Sequence, residues 1–257
     1  MGVDKRSRAI AVLMMTARYT GSMSLLLFGI FLFNGAWHFV DLPLSTTGQY
    51  FWNAGLSALF FIQHSGMVRR SLWARLEKHL PNYAHRAVYT IASAVVLTAV
   101  VSLWQPADSM LLQLHGPWRW LTRGVFLLGL AGFAWSSLAL KYFDAFGIGD
   151  LKAHLKGTTR QPQQFSIRGP YRWVRHPFYL FAILLIWACP DLPPDRLLFN
   201  VLWTAWICIG AHLEEKDLVA EFQAPYRSYQ RRVPMLIPWK GPLAVPADQS
   251  DPAQIDS

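Results

Sequence analysis

Gly21-Ser-Met-Ser-Leu-Leu-Leu-Phe-Gly-Ile-Phe-Leu-Phe-Asn-Gly-Ala-Trp-His-Phe-Val40 contains no Asp, Glu, Lys or Arg. In a helix, a run of this length matches the ~30 Å hydrocarbon core of a bilayer. Lys5, Arg6 and Arg8 precede it, as basic residues precede the apolar core of a secretory leader. The run is too long for such a core and ends in Trp37-His38 without a small-residue cleavage pattern. It therefore reads as a retained first span.

Similar runs recur along the chain. They cover Gln49 to Met67, Ala87 to Trp104, Trp118 to Leu140, Phe178 to Cys189 and Leu197 to Leu213. The fifth is strongly apolar over only 12 residues. It either begins earlier, near Trp173, or forms a tilted hairpin with the sixth. The expected fold class is all-α, a polytopic membrane helix bundle of five to six spans. The 257 residues are 53% hydrophobic and only 15% charged, against about 25% charged in soluble domains. No polar stretch is long enough to fold separately, so residues 1–240 are expected to form a single membrane domain. The Pro/Ala/Asp/Ser-rich residues 241–257 are expected to be a disordered tail.

Charge placement supports this reading. With the N-terminus inside and six alternating spans, 21 of the 24 Lys and Arg fall on the cytoplasmic side. Arg119, Arg123 and Arg196 are the exceptions. That asymmetry predicts a multi-pass membrane protein of six crossings with both termini cytoplasmic. It also accounts for the net charge of +9 as topology signals rather than as a nucleic-acid surface. The two cysteines, Cys189 and Cys208, sit in apolar context, so neither a disulfide framework nor a metal site is expected.

Two charged segments remain, and the topology brings both to the cytoplasmic face. The first is Arg168-Gly-Pro-Tyr-Arg-Trp-Val-Arg-His-Pro177, at the mouth of the fifth span. The second is Glu214-Glu215-Lys216-Asp217-Leu218, after the sixth. Taken alone, Arg-His-Pro can be a basic flank of a helix and Glu-Glu-Lys a solvated helix end. Placed as a pair beside apolar spans, each needs counter-charges or a ligand.

Together with Tyr226-x-x-Tyr229 and Val233-Pro234, this order of motifs resembles the isoprenylcysteine carboxyl methyltransferase and phospholipid methyltransferase group of integral membrane enzymes. The resemblance covers about residues 141–238. It implies a cytoplasmic-face pocket for S-adenosylmethionine, formed by the C-terminal region. By motif position Gln163, Phe165, Tyr171, His176, Pro177, Phe178, Tyr179 and Glu215 would line the cofactor. The residue chemistry agrees with that assignment. A cofactor carboxylate suits Arg175 and His176, its ammonium suits Glu214 or Glu215, and its adenine suits an aromatic slot from Tyr171, Trp173 or Tyr179.

A finer resemblance joins Phe60-Phe-Ile-Gln-His-Ser-Gly-Met67, Tyr142-Phe-Asp-Ala-Phe-Gly-Ile148, Ile186-Trp-Ala-Cys-Pro190 and Val233-Pro-Met-Leu-Ile-Pro238. These look like the bacterial methanethiol S-methyltransferase family, which makes dimethyl sulfide. The N-terminal pattern is also similar to NnrU-like membrane proteins. His85-Arg86-Ala87 departs from the family's Glu-Arg-Ser, and Leu180-Phe181 stands where the family tends to have Gly. The implied partners are a small thiol and membrane lipid, with no obligate protein partner. Methyl transfer from a sulfonium needs alignment, exclusion of water and removal of the thiol proton. His64, Arg175 and Glu214 are the catalytic candidates, with His64 as the base. The competing role for His64 is a helix-end cap or a lipid-phosphate contact.

Two other readings stay open. One has a phospholipid amine or isoprenylcysteine carboxylate as acceptor. For the prenyl form, Gly210-Ala211-His212 stands where the prenylcysteine enzymes place an Arg. The other is a non-enzymatic transporter or scaffold, although the chain shows neither internal repeats nor ionisable residues at mid-span.

Overall fold

The computed structural model describes residues 2–69, 73, 80–140, 143–160 and 165–244. They form the helices α1 (Gly2–Asn34), α2 (Thr46–Val68), α3 (His85–Leu103), α4 (Gly116–Ala139), α5 (Gly149–Leu155), α6 (Pro177–Trp187) and α7 (Pro194–Arg232). The strands described are β1 (Leu112–Gln113) and β2 (Asp191–Leu192), an antiparallel pair with Leu112 opposite Leu192. The protein is therefore an all-α membrane helix bundle. Among the described residues, four helical segments are long and apolar enough to cross a bilayer: Lys5–Asn34, Asn82–Leu103, Gly116–Ala139 and Pro194–Arg232. Helix α2 has 23 residues, and the apolar α6 has only 11. At 1.5 Å per residue, α6 reaches about 16 Å, roughly half of the hydrocarbon core.

Helix α1 differs from the expected first span in both bounds. It takes in the basic N-terminal residues and stops at Asn34, short of Val40. Gly35 is the reason. It adopts φ +93 and returns its N–H to the Phe31 carbonyl at 2.9 Å, closing the helix as a left-handed glycine does.

The chain clusters into two compact units that interleave along the sequence. The first holds α1, α2, α3, α5, the strand pair and the start of α7. There α3 packs on both α1 and α2. Buried Ala17, Ala87 and Ala94 keep the backbones close, since small residues permit tight helix contact where lipid supplies no hydrophobic drive. Asn53 and Gln105 exchange hydrogen bonds, Asn53 Nδ2 to the Gln105 carbonyl at 2.7 Å and Gln105 N–H to Asn53 Oδ1 at 2.9 Å. Asp195 accepts from Trp104 Nε1 at 2.9 Å and from the Ala107 N–H at 3.0 Å. Arg196 donates to the Phe31 and Leu32 carbonyls at the end of α1. A cation there complements the helix dipole, which helps to accommodate the buried Arg196 inside an apolar unit.

The second unit holds α4, α6 and α7 from Trp203 onward. Helices α4 and α6 meet through glycines. A Cβ at Gly132 would overlap the Phe181 ring, and one at Gly129 would lie 2.9 Å from Leu185 Cδ2. Gly169-Pro-Tyr-Arg172 forms a 3-10 turn, and Pro177 opens α6 where its missing N–H is harmless.

Helix α7 is not straight. Gln223 has φ 47 and ψ −122, and Pro225 follows it. On an unbroken helix, Tyr226 and Gln230 would stand about 16 and 22 Å along the axis from Glu215. Both instead hydrogen-bond the Glu215 carboxylate, at 3.1 and 2.6 Å, so the chain doubles back at Gln223. Tyr226, Tyr229 and Val233 on the returning segment bury against Phe165, Ile167, Leu218 and Phe222. The segment then pairs with the Arg-His-Pro motif. Arg175 N–H donates to the Pro234 carbonyl at 2.9 Å and His176 N–H to that of Met235 at 3.1 Å.

Candidate functional site

The two charged segments meet within the second unit. Arg175 grips Glu215 through Nε to Oε1 at 2.6 Å and Nη2 to Oε2 at 2.8 Å. Its Nη1 donates to the Gln230 and Val233 carbonyls. His176 Nε2 lies 3.1 Å from Glu215 Oε1, and Tyr226 and Gln230 supply further donors to the same carboxylate. Burial pushes the Glu215 carboxyl up. The hydrogen bonds from His176, Arg175 and Gln230, with the charge of Arg175, outweigh it and hold the group well below the usual carboxylate range. Glu215 follows the apolar part of α7 and is ionised at any physiological pH.

Glu214 points differently. Its Oε2 accepts from the Tyr179 hydroxyl at 2.8 Å and lies 3.6 Å from His176 Nδ1, with the side chain 46% exposed. The His176 ring stacks on Tyr179, the planes 11° apart. His176 thus bridges the two carboxylates, one buried and one open. Tyr229 donates to the Tyr171 carbonyl, fixing the turn that precedes the motif. Burial, then the charge of Glu214, raises the Tyr171 phenol above its ordinary value, so it stands as a neutral hydroxyl.

A cavity of about 350 Å³ opens here. Of the residues expected at the site, Phe165, Tyr171, Arg175, His176, Pro177, Phe178, Tyr179 and Glu214 line it. Its apolar walls come from Leu140, Phe143, Phe178, Leu218 and Phe222, with Phe143 and Phe178 stacked at 5.0 Å. Glu215, expected to line the cofactor, is not on the wall, because Arg175, His176, Tyr226 and Gln230 enclose its carboxylate. Gln163 lies outside the described residues.

His64 belongs to the first unit. Its Nε2 is 2.8 Å from the Tyr89 hydroxyl and its Nδ1 3.4 Å from Ser93 Oγ, with the Phe60 ring centre 5.1 Å away. It is not among the residues that line the cavity.

Sequence reasoning missed Glu221, Leu218 and Phe222 on the wall and Gln230 behind it. A signal existed for the first three. Residues at i+4, i+7 and i+8 from Glu214 share its face of a helix.

The lining provides donors and a carboxylate close together, with aromatic and apolar walls around them. It suits a ligand that carries both a zwitterion and a flat base.

The chain is similar to several curated proteins. It is 37% identical over 190 residues to a methanethiol S-methyltransferase of Pseudomonas sp. (strain GM41(2012)), a match that covers 72% of each chain. It is 38% identical over 187 residues to methanethiol S-methyltransferase 2 of Bradyrhizobium diazoefficiens, again 72% of each. A more distant similarity, 26% over 189 residues, links it to nurim of Xenopus laevis and covers 63% of this chain and 60% of that one. No protein-family model and no solved structure matches the chain.

Proposed function

The chain belongs to the methanethiol S-methyltransferase family, and on that premise we propose that it is an S-adenosylmethionine-dependent methyltransferase acting on a small thiol. Methanethiol is the acceptor and dimethyl sulfide the product. The observation that carries this reading is the cavity, whose lining brings His176, Tyr171, Tyr179 and Glu214 together with Phe143, Phe178 and Phe222. Its volume of about 350 Å³ is at the small end of ligand pockets, which favours one nucleoside-sized ligand and a very small acceptor.

S-adenosylmethionine, when bound, supplies an electrophilic methyl group on a cationic sulfur. The residues present fit it. Glu214, oriented by the Tyr179 hydroxyl, would hold the ammonium, and the Tyr171 hydroxyl beside His176 would donate to the carboxylate. Arg175, fully engaged by Glu215 and backbone carbonyls, positions His176 rather than touching the ligand. The apolar wall from Leu140 and Phe143 excludes water from the reacting thiol. Methylation of a neutral thiol releases one proton, and His64 is the proposed acceptor. Its candidacy rests on its chemistry, an imidazole with hydroxyl partners at both nitrogens. The protein sits in the bacterial inner membrane with both termini cytoplasmic.

The test is to give the detergent-solubilised protein S-adenosylmethionine and methanethiol and to measure dimethyl sulfide in the headspace. Product that vanishes in Glu214→Ala supports the reading. No product, with lipid amines or prenylcysteine methylated instead, overturns the acceptor. No methyl transfer to any of these overturns the reaction.

A further inference from the structure

Glu221 lines the cavity, and among the described residues its carboxylate has no hydrogen-bond or ion-pair partner. This contrasts with Glu214, held by Tyr179 and His176, and with Glu215, enclosed by Arg175 and its neighbours. Glu221 lies seven residues after Glu214 on the unbroken part of α7, just before the turn at Gln223. Seven helical residues bring a side chain back to within about 20° of the same line and about 10 Å further along it. The stripe therefore carries one carboxylate beside His176 and Tyr179 and a second one about 10 Å further along the helix. Phe222 is adjacent to Glu221, and Phe165 lies against Phe222 with ring centres 5.5 Å apart.

The two ends suit different chemistry. A zwitterion needs a donor next to its acceptor, and on the wall Tyr171 and His176 accompany Glu214. The Glu221 end pairs a lone acceptor with a flat apolar surface. A carboxylate with free oxygens accepts from two adjacent hydroxyls, one at each oxygen, and a base stacks beside them. We infer that Glu221 is the residue that recognises the vicinal ribose hydroxyls of the cofactor, with Phe222 and Phe165 flanking the base. This rests on the cofactor reading above and adds a determinant of nucleoside selectivity to it.

The test is binding, measured by calorimetry on the full chain in detergent, with S-adenosylhomocysteine and its 2′-deoxy and 3′-deoxy analogues as ligands. The wild type is expected to bind each deoxy analogue about ten-fold more weakly than the parent. Glu221→Ala is expected to bind the parent about ten-fold more weakly and to lose that discrimination, with an unchanged melting temperature because the side chain is exposed. Glu221→Gln, which keeps shape and an acceptor oxygen, should fall between the two. A wild type that binds the parent, with Glu221→Ala equally tight or still discriminating, overturns the Glu221 role and leaves the cofactor reading standing. A wild type that binds none of the three overturns both.

Discussion

The Arg175 guanidinium meets the Glu215 carboxylate edge to edge, both groups about nine-tenths buried. Two parallel charge-assisted hydrogen bonds fix their relative orientation as well as their separation. Because Arg175 precedes His176 directly, the pair also sets the position of the ring that faces the cavity. The ion pair is thus a frame, and the neighbouring Glu214 is the side chain left open to a ligand.

Glu215→Ala should therefore behave as a structural lesion. Removing one partner leaves the Arg175 charge buried, and the expected loss is about 3 kcal/mol. Thermal unfolding in detergent measures it. Glu214→Gln, altering a half-exposed group, should leave the melting temperature unchanged while weakening S-adenosylhomocysteine binding. The opposite pattern would reverse the two roles.

The pH dependence of that frame has a definite sign. Glu215 has a folded-state value below its unfolded one, so its contribution is complete above the unfolded value of about 4.3 and is lost only as pH falls through the lower folded value. The stability difference between wild type and Glu215→Gln should be flat from about pH 6 to 9 and shrink only in strong acid. Unfolding followed across that range checks it, and a difference that decays between pH 7 and 5 would contradict the assignment.

Gln223 adopts a backbone conformation, φ 47 and ψ −122, that only glycine reaches without strain. Gln223→Gly should raise stability by about 1 kcal/mol, whereas Gln223→Val should lower it by at least as much. Denaturation of the two variants side by side decides it.

Gly132→Ala places a methyl group in the Phe181 ring where α4 and α6 cross. A loss of about 1 to 3 kcal/mol is expected. Combining it with Phe181→Leu should recover part of that loss, since the smaller side chain vacates the contact. An unaltered melting temperature in the single variant would place the helices further apart.

His64→Gln should reduce turnover by about a hundred-fold if His64 takes the thiol proton, with S-adenosylhomocysteine affinity unchanged. Kinetics at saturating cofactor, with binding measured in parallel, separates a chemical role from a packing one.

The sequence made the helical class, the membrane character and the meeting of Arg-His-Pro with Glu-Glu legible, because each has a local cause: apolar length, charge asymmetry, a Pro-opened helix. Which of Glu214 and Glu215 lines the cavity did not follow from the same signals. Adjacent residues on a helix point about 100° apart, and only tertiary donors decide which of Glu214 and Glu215 turns inward. Those donors, Tyr226 and Gln230, arrive through a turn whose left-handed residue is Gln223 and not a glycine, so its signal in the sequence was Pro225, which marks a break and not its direction. The early end of α1 could have been anticipated from Gly35, a left-handed stop inside an otherwise continuous apolar run.

The doubling back of α7 also constrains how the gene can change length. One helix supplies both the cavity wall and the side chains that brace it, and they face each other only because the count of residues from Glu215 to Tyr226 is right. Insertion or deletion of a single codon in that interval would swing the bracing phenol and amide by about 100° and strand the Arg175–Glu215 pair. The interval should keep a fixed length, whereas an exposed link such as Asp108-Ser-Met-Leu111 is free to lengthen.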